Sequence, residues 1–251
     1  MSQNLSGRTV VVAGSTSAAG IAVVRTLSQA GAHVAAVDIL EDRVQELSST
    51  YDNVTGYVCN LADLQAVGDL AKSVRQDLGP VDGLIHLVGG WRGGQGIKGQ
   101  ADDDWDFLHT SVLTTLRNTS RAFYDDLAAS PAGRLAIVSA QSASSPTADG
   151  AAYAAVKSAA EAWTLAVADG FRHLQGGNES LSAQDSAALV FVVKALVDDR
   201  MRAAQPERRF PGFTDVSVLA DAVERIFYLE AEQINGQRLP LTADHLTGAL
   251  S

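Results

Sequence analysis

Seven short apolar runs recur along the chain at intervals of about 20 to 40 residues, with longer Ala- and Leu-rich segments between them, and this alternation narrows the available folds most. The runs are Thr9–Ala13, His33–Asp38, Val54–Cys59, Gly83–Val88, Arg134–Ser139, Ala187–Val193 and Gln237–Leu241. Between them, Ala19–Ala30, Arg43–Ser49, Leu64–Leu78, Asp104–Ala128, Ala151–Gly170 and Val216–Leu229 carry apolar residues at three- and four-residue spacing, the pattern of helices that cover a sheet. Strand and helix in alternation predict βαβ units, hence an α/β fold with a seven-stranded parallel sheet in a doubly wound sandwich. No linker, repeat or low-complexity stretch divides the chain, so residues 1–251 are read as one domain. Three segments are irregular: the Gly-rich Gly89–Gly99, the polar Gln175–Asp185, and Gln205–Asp215 with two prolines. Ligands of open parallel sheets sit beyond the carboxyl ends of the strands, and the first and third of these loops follow such ends.

The 29 acidic against 19 basic residues give a net charge of −10, the wrong sign for attraction to nucleic-acid phosphates or anionic membrane surfaces. No apolar run approaches the roughly 18 residues of a membrane-spanning helix. Thr9–Ala13 is too short and lacks the charged lead of a signal peptide, so a cytoplasmic protein is expected, with neither nucleic acid nor membrane as partner. The single cysteine, Cys59, has no internal disulfide partner and is read as packing. Five scattered histidines show no ligand spacing, and Asp102, Asp103, Asp104 and Asp106 suit a helix start better than a cation, so no metal is expected. His86, at a strand end, is read as a hydrogen-bonded structural residue, with the lining of a ligand site as the alternative.

Directly after the first strand, Gly14-Ser15-Thr16-Ser17-Ala18-Ala19-Gly20 opens a helix. A tight turn needs a residue free to take positive φ, and small side chains let backbone N–H groups approach a pyrophosphate at the helix N-terminus. The second strand ends in Asp38, about 20 residues beyond the turn, where a carboxylate can accept hydrogen bonds from both ribose hydroxyls of NAD and repel a 2′-phosphate. The other reading of Asp38 is a cap for the helix beginning near Glu41. Ser17 is uncharged and no compensating cation is read near Asp38, so NAD(H) is the expected cofactor.

Tyr153-Ala154-Ala155-Val156-Lys157 places a phenol and an ammonium one helical turn apart on the same face, within reach of one ligand. A phenol with a reference pKa of about 10 is a poor acid at neutral pH, but an adjacent cation favours the phenolate and brings it toward the working range. Such a pair is suggestive only in company.

That company is present. The turn after strand one, Asp38 after strand two, Asn60-Leu61 after strand three, Val88-Gly89-Gly90 after strand four and Tyr153/Lys157 after strand five resemble the short-chain dehydrogenase/reductase family over nearly the whole chain. The resemblance implies a Rossmann-like fold and hydride transfer between NAD(P) and a carbonyl, alcohol or related C=N group of a small molecule. Tyr153 would exchange the proton, and Lys157 would lower its pKa and bond the nicotinamide ribose. Gly14, Thr16, Ser17, Ala19, Gly20, Asp38, Asn60, Leu61, Val88, Gly89 and Gly90 would join the pair around the cofactor. The family further implies a homo-oligomer, a dimer or tetramer.

Several positions depart from the family pattern. Ala18 replaces the middle glycine of the turn, Asn60 stands where an Asp usually contacts adenine, and the usual Asn-Asn-Ala-Gly reads His86-Leu87-Val88-Gly89. The serine that polarises the substrate oxygen should fall at Ala140; Ser139 and Ser142 flank it, and a small loop shift would bring Ser142 into the role. The Asn that supports a proton-relay water would fall near Val112, beside Ser111, and Pro-Gly is absent from Val193-Lys194-Ala195-Leu196. The missing Ser, Gly89-Gly90-Trp91-Arg92-Gly93-Gly94, and the segment from Met201 through Pro206 to Phe213-Thr214 look like the quinonoid dihydropteridine reductase branch, which uses NADH on a quinonoid ring. Trp91, with six glycines around it from Gly89 to Gly99, is read either as a ring over the ligand or as simply exposed, and Phe213 as a possible partner across a flat substrate. A catalytically silent dinucleotide-binding protein is the reading that competes with an enzyme.

Overall fold

The computed structural model describes residues 4–94, 96–176 and 184–241. Strands β1 (Thr9–Ala13), β2 (His33–Asp38), β3 (Val54–Val58), β4 (Gly83–His86), β5 (Arg134–Ala140) and β6 (Ala187–Val193) occupy the expected runs. Two-residue strands β7 (Leu196–Val197) and β8 (Thr214–Asp215) form a separate parallel ribbon, and β9 (Arg238–Pro240) completes the main sheet. The sheet has the order β3-β2-β1-β4-β5-β6-β9 with every pair parallel. All five residues of β1 and all seven of β6 are buried, which is why these strands read as unbroken apolar runs rather than as alternations.

Helices α1 (Ala18–Gln29), α2 (Glu41–Thr50) and α3 (Leu64–Leu78) follow the first three strands. The helix expected over Asp104–Ala128 starts two residues earlier, as α4 (Asp102–Leu108), passes through a π-helical stretch at His109–Thr114 and continues as α5 (Thr115–Ala129). Three aspartates in its first turn account for the earlier start, since carboxylates are favoured by the unpaired N–H groups there. The long α6 (Ala151–Gly176), the short α7 (Asp199–Ala204), α8 (Val216–Arg225) and α9 (Ala231–Ile234) complete the set among the described residues. The pattern read over Val216–Leu229 ends instead in a 3-10 turn at Ile226–Tyr228. Of the irregular Gln175–Asp185, positions 177–183 lie outside the described residues.

Two apolar layers sandwich the sheet. On one face Val10 and Val12 pack with Val23 and Leu27 of α1 and Leu219 and Val223 of α8. On the other, Val11 and Leu84 pack with Val67 of α3, Phe123 and Leu127 of α5, and Val156 and Phe171 of α6. Burying each large side chain contributes about 1.5–3 kcal/mol, so the layers fix helix positions to within a side chain's fit. Strand order reverses between β1 and β4, and a crevice opens there above the carboxyl ends, where the residues of interest converge.

Candidate active site

Gly14 ends β1 with φ of +83°, and a Cβ there would lie 3.0 Å from the backbone of Leu87 and Val88, so both conformation and space require glycine. Ser17 caps α1: its hydroxyl donates to Gly14 O at 2.9 Å and accepts from Gly20 N at 3.0 Å. Gly20 lets the helix close on the turn, since a Cβ there would come 2.2 Å from Gly14 O. Ala18 is accommodated as the first residue of α1, so the lost glycine leaves the turn intact.

Asp38 does not cap α2, whose N-cap is Leu40 and makes no side-chain bond. Its carboxylate accepts from Thr16 N at 3.1 Å, Thr16 Oγ1 at 2.7 Å and Ile39 N at 2.7 Å, which ties the turn to the end of β2. A cavity of about 760 Å³ is bordered by Gly14, Thr16, Ser17, Asp38, Asn60, Leu61, Val88 and Gly89, eight of the positions singled out in the sequence. The expectation that no cation lies near Asp38 is qualified by the exposed Arg43, which borders the same cavity without an ion pair to that carboxylate. Arg43 also borders a second cavity with Arg25 and Arg200. Asn60 accepts from Ala62 N, and the buried Asn118, not foreseen as part of the site, donates to Leu61 O and Ala62 O at 3.1 Å each, pinning this wall.

Val88 and Gly89 also border a smaller cavity of about 140 Å³, whose walls include Ala19, Gly90, His86 and Lys157. Lys157 is buried, and its Nζ donates to Val138 O at 2.8 Å and lies 5.7 Å from the centroid of the Tyr153 ring. Burial lowers the Lys157 pKa from 10.5 to about 8 against the raising pull of Glu161, and burial pushes the half-buried Tyr153 phenol up. The expected lowering of the phenol by its neighbour is therefore not what the structure shows; desolvation of the phenol sets the direction. His86 is structural and cavity-lining at once: its Nε2 and Nδ1 meet the hydroxyls of Thr115 at 3.1 Å and Thr119 at 3.2 Å, and burial with Lys157 nearby holds it neutral, with a pKa of about 3. Val112 is buried, and a Cβ on Gly89 would lie 3.6 Å from its Cγ2 and 3.8 Å from Lys157 Nζ. An apolar side chain thus occupies the neighbourhood where a relay amide was sought.

Ser139, at the end of β5, and Ser142, in the 3-10 turn Gln141–Ala143, both carry buried hydroxyls without a hydrogen-bond partner, as does Ser15. A buried hydroxyl left unpaired in a protein calls for an explanation, and a ligand oxygen supplies one. Ala140 between the two serines is buried and apolar. Trp91 is 70% exposed and lies over Gly93, whereas Phe213 packs edge-on to Phe210 beneath Arg208. Phe213 packs with Phe210, Arg208 and Lys194 and Trp91 against its own loop, and no ring contact joins the two.

The depressed pKa of Lys157 has a measurable consequence for stability. Its folded-state value lies below the ordinary 10.5, so the unfolded chain binds more protons between about pH 8 and 10.5. The residue's contribution is therefore least favourable below pH 8 and rises through that window. Lys157→Met is expected to gain most on wild type at pH 7, with the gap in Tm closing as pH approaches 10.5. Thermal unfolding from pH 7 to 10.5 checks this, and parallel curves for the two proteins would contradict it.

A crevice at the β1/β4 reversal, a glycine turn capped onto a helix, a carboxylate closing β2 and a buried lysine together define an α/β protein of the dinucleotide-binding class. Residues 8–174 match the family model described as short chain dehydrogenase, well over half of the chain, and the chain belongs to the short-chain dehydrogenase/reductase family. It is 28% identical over 166 residues to 2,3-dihydro-2,3-dihydroxybenzoate dehydrogenase of Bacillus subtilis (strain 168), covering 64% of this chain and 63% of that protein. It is 37% identical over 89 residues to glycine betaine reductase ATRR of Emericella nidulans, 34% of this chain and 7% of that protein, so the match spans less than two thirds of either relative. A match of 24% identity to 3-oxoacyl-acyl-carrier-protein reductase FabG of Vibrio harveyi covers 98% of both chains. Among solved structures, an NADPH-bound short chain oxidoreductase of Pseudomonas aeruginosa PAO1 with an atypical catalytic centre superposes with TM-score 0.81 at 18% identity, over 98% of this chain and 99% of that one. NAD+-bound xylitol dehydrogenase gives 0.80 at 17% identity, over 95% and 98%, and these likenesses show the shared fold. Among the described residues no helix is long and apolar enough to cross a membrane, and no cluster of His, Cys, Asp and Glu has the makings of a metal site.

Proposed function

We propose that the chain is an NAD(P)-dependent oxidoreductase that moves a hydride between NADH and a carbonyl or conjugated C=O/C=N group of a small molecule, with residues 1–251 as a single dinucleotide-binding unit. The observation that carries this reading is the buried Lys157, anchored on Val138 O and bordering the inner cavity one helical turn from Tyr153. The residues present fit a nicotinamide dinucleotide: the small-residue turn, Asp38 and Asn60 border the larger cavity, and Lys157 the smaller one that shares Val88 and Gly89 with it. Bound there, the dinucleotide supplies or accepts the hydride. Tyr153 holds the proton that the substrate oxygen or nitrogen takes up, Lys157 steadies the phenolate left behind, and Ser142 offers its unpaired hydroxyl to the substrate.

The departures at Ala140 and Val112 support a conjugated, electron-poor substrate of the quinonoid kind, which needs less polarisation than a simple ketone. NADH oxidation against a panel of carbonyls, quinones and quinonoid pterins tests the reading. Turnover with at least one class is the expected result; tight NADH binding with no turnover would leave the silent dinucleotide-binding protein. We place the enzyme in the cytoplasm as a homo-oligomer, a dimer or tetramer, in keeping with the half-exposed Trp105 and Leu165 on α4 and α6, and sedimentation reads its mass.

For the cofactor we assign NAD(H), because a carboxylate at the end of β2 disfavours a 2′-phosphate, and Arg43 moderates that preference without reversing it. NADH is expected to bind more tightly than NADPH. Asp38→Asn should narrow the ratio by about tenfold, roughly 1.4 kcal/mol, and Arg43→Gln should widen it. Equal or tighter NADPH binding by the wild type defeats the assignment.

A further inference from the structure

One side chain that the catalytic reading does not use ties the Gly-rich segment after β4 to the start of α6. Gln100 donates through Nε2 to Gly96 O at 3.1 Å, Asp149 O at 3.2 Å and Ala148 O at 3.3 Å. Its Oε1 accepts from Ala152 N at 3.2 Å. That N–H belongs to the first turn of α6, where backbone donors have no partner within the helix, so Gln100 caps α6 from 52 residues away. Asp149 completes the seam: its Oδ1 accepts from Gly96 N at 2.7 Å and its backbone oxygen from Gly94 N at 2.9 Å. Gly94 is required for this approach, because a Cβ there would lie 2.5 Å from Gln100 Nε2. The next residue after the capped amide is Tyr153.

We propose that Gln100, seconded by Asp149, is a positioning residue: it latches the loop that carries Trp91 to the N-terminus of α6, so that the loop and the first turn of α6, which places the Tyr153 hydroxyl, are held as one unit. The inference rests on the reading of Tyr153 as proton donor. Physically, one amide side chain satisfies groups on both partners at once, so losing it weakens the loop's tie and uncaps the helix start together, with only the Asp149 bonds left across the seam among the described residues. Gln100 itself borders neither the larger nor the smaller cavity.

Hydrogen exchange by mass spectrometry, with trypsin cleavage after the exposed Arg92 and Lys98, reads the latch without any substrate. In Gln100→Ala, exchange across Gly89–Gly94 and Gly96–Gln100 and across Ala148–Tyr153 should rise together by tenfold or more, and cleavage should quicken. Gln100→Glu keeps an oxygen for Ala152 N but loses the donated bonds, so the loop should loosen while the helix start stays protected. On a substrate accepted by the wild type, Gln100→Ala should lose about tenfold in kcat with the Kd of NADH unchanged within twofold. Asp149→Asn, which retains an oxygen for Gly96 N, should restore most of the kcat that Asp149→Ala loses. Independent exchange of the two segments, an unchanged kcat with the loop released, or NADH affinity falling in step with kcat would overturn the proposal. Should Tyr153→Phe keep full activity while Gln100→Ala still couples the two segments, the proton-donor reading fails and the latch stands. The reverse pattern removes the latch alone.

Discussion

Tyr153→Phe is expected to lower kcat by about 10²- to 10⁴-fold while leaving NADH affinity unchanged, because the substitution removes the one hydroxyl assigned to proton transfer and keeps the ring's volume. The structure sharpens this beyond the mutation itself. Burial raises the phenol's pKa, so at neutral pH Tyr153 is fully protonated and ready as an acid, and the difficulty lies in leaving a phenolate behind. The cation assigned to support that phenolate is Lys157, 5.7 Å from the ring centroid and itself lowered to about 8. In the reducing direction kcat should therefore fall as pH rises through about 8, when the ammonium loses its charge and the phenolate its support. Lys157→Met should show a low kcat without that limb. A pH profile of kcat on wild type and the two variants measures all of this. Near wild-type turnover by Tyr153→Phe on an accepted substrate would mean that another group gives the proton.

The sheet and the turn were legible because their signals are local. Strands buried on both faces spell continuous apolar runs, and β1 with the Gly14–Gly20 turn and Asp38 can be read within one βαβ unit. The ribbon of β7 and β8 escaped because two residues carry no periodicity, and α7 because six carry little. The π-helical stretch at His109–Thr114 was invisible for a different reason: apolar residues at three- and four-residue spacing run through it, and only the backbone bonds record the extra residue per turn. Arg43 was missed near Asp38 because it sits on a helix five residues further on, and which way a long exposed side chain leans is set by the neighbouring elements. Gln100, Asn118 and the His86–Thr115 pair were missed because the contacts that give them their roles reach across 29 to 57 residues of sequence. Sequence spacing announces chemistry carried on one element; it is silent where function depends on contacts between elements.

Ser142→Ala is expected to cost about 10²-fold in kcat with a simple ketone and several-fold or less with a quinonoid substrate. The argument begins at β5, where Ala140 brings no hydroxyl to the position at which the family places one. Two residues on, the Ser142 hydroxyl is buried with no partner, so a ligand oxygen brought to it satisfies a donor already cut off from water. Removing one such donor typically costs about 2.7–4 kcal/mol when the reaction gathers charge on oxygen. A ketone gathers that charge fully, whereas a quinonoid ring or an iminium-like C=N spreads it over its own conjugation and leans less on the protein. Ser139 is the control, since its hydroxyl is also buried and unpaired but sits within β5 itself. Period-two alternation puts Ser139 on the face of Leu135 and Ile137, against α5 and α6, and its replacement by alanine should change kcat little with either substrate. The comparison needs kcat and KM for both serine variants on both substrate classes. A 10²-fold loss confined to Ser139→Ala would move the donor to β5, and equal losses on ketone and quinonoid substrates by Ser142→Ala would defeat the view that conjugation replaces the missing hydroxyl.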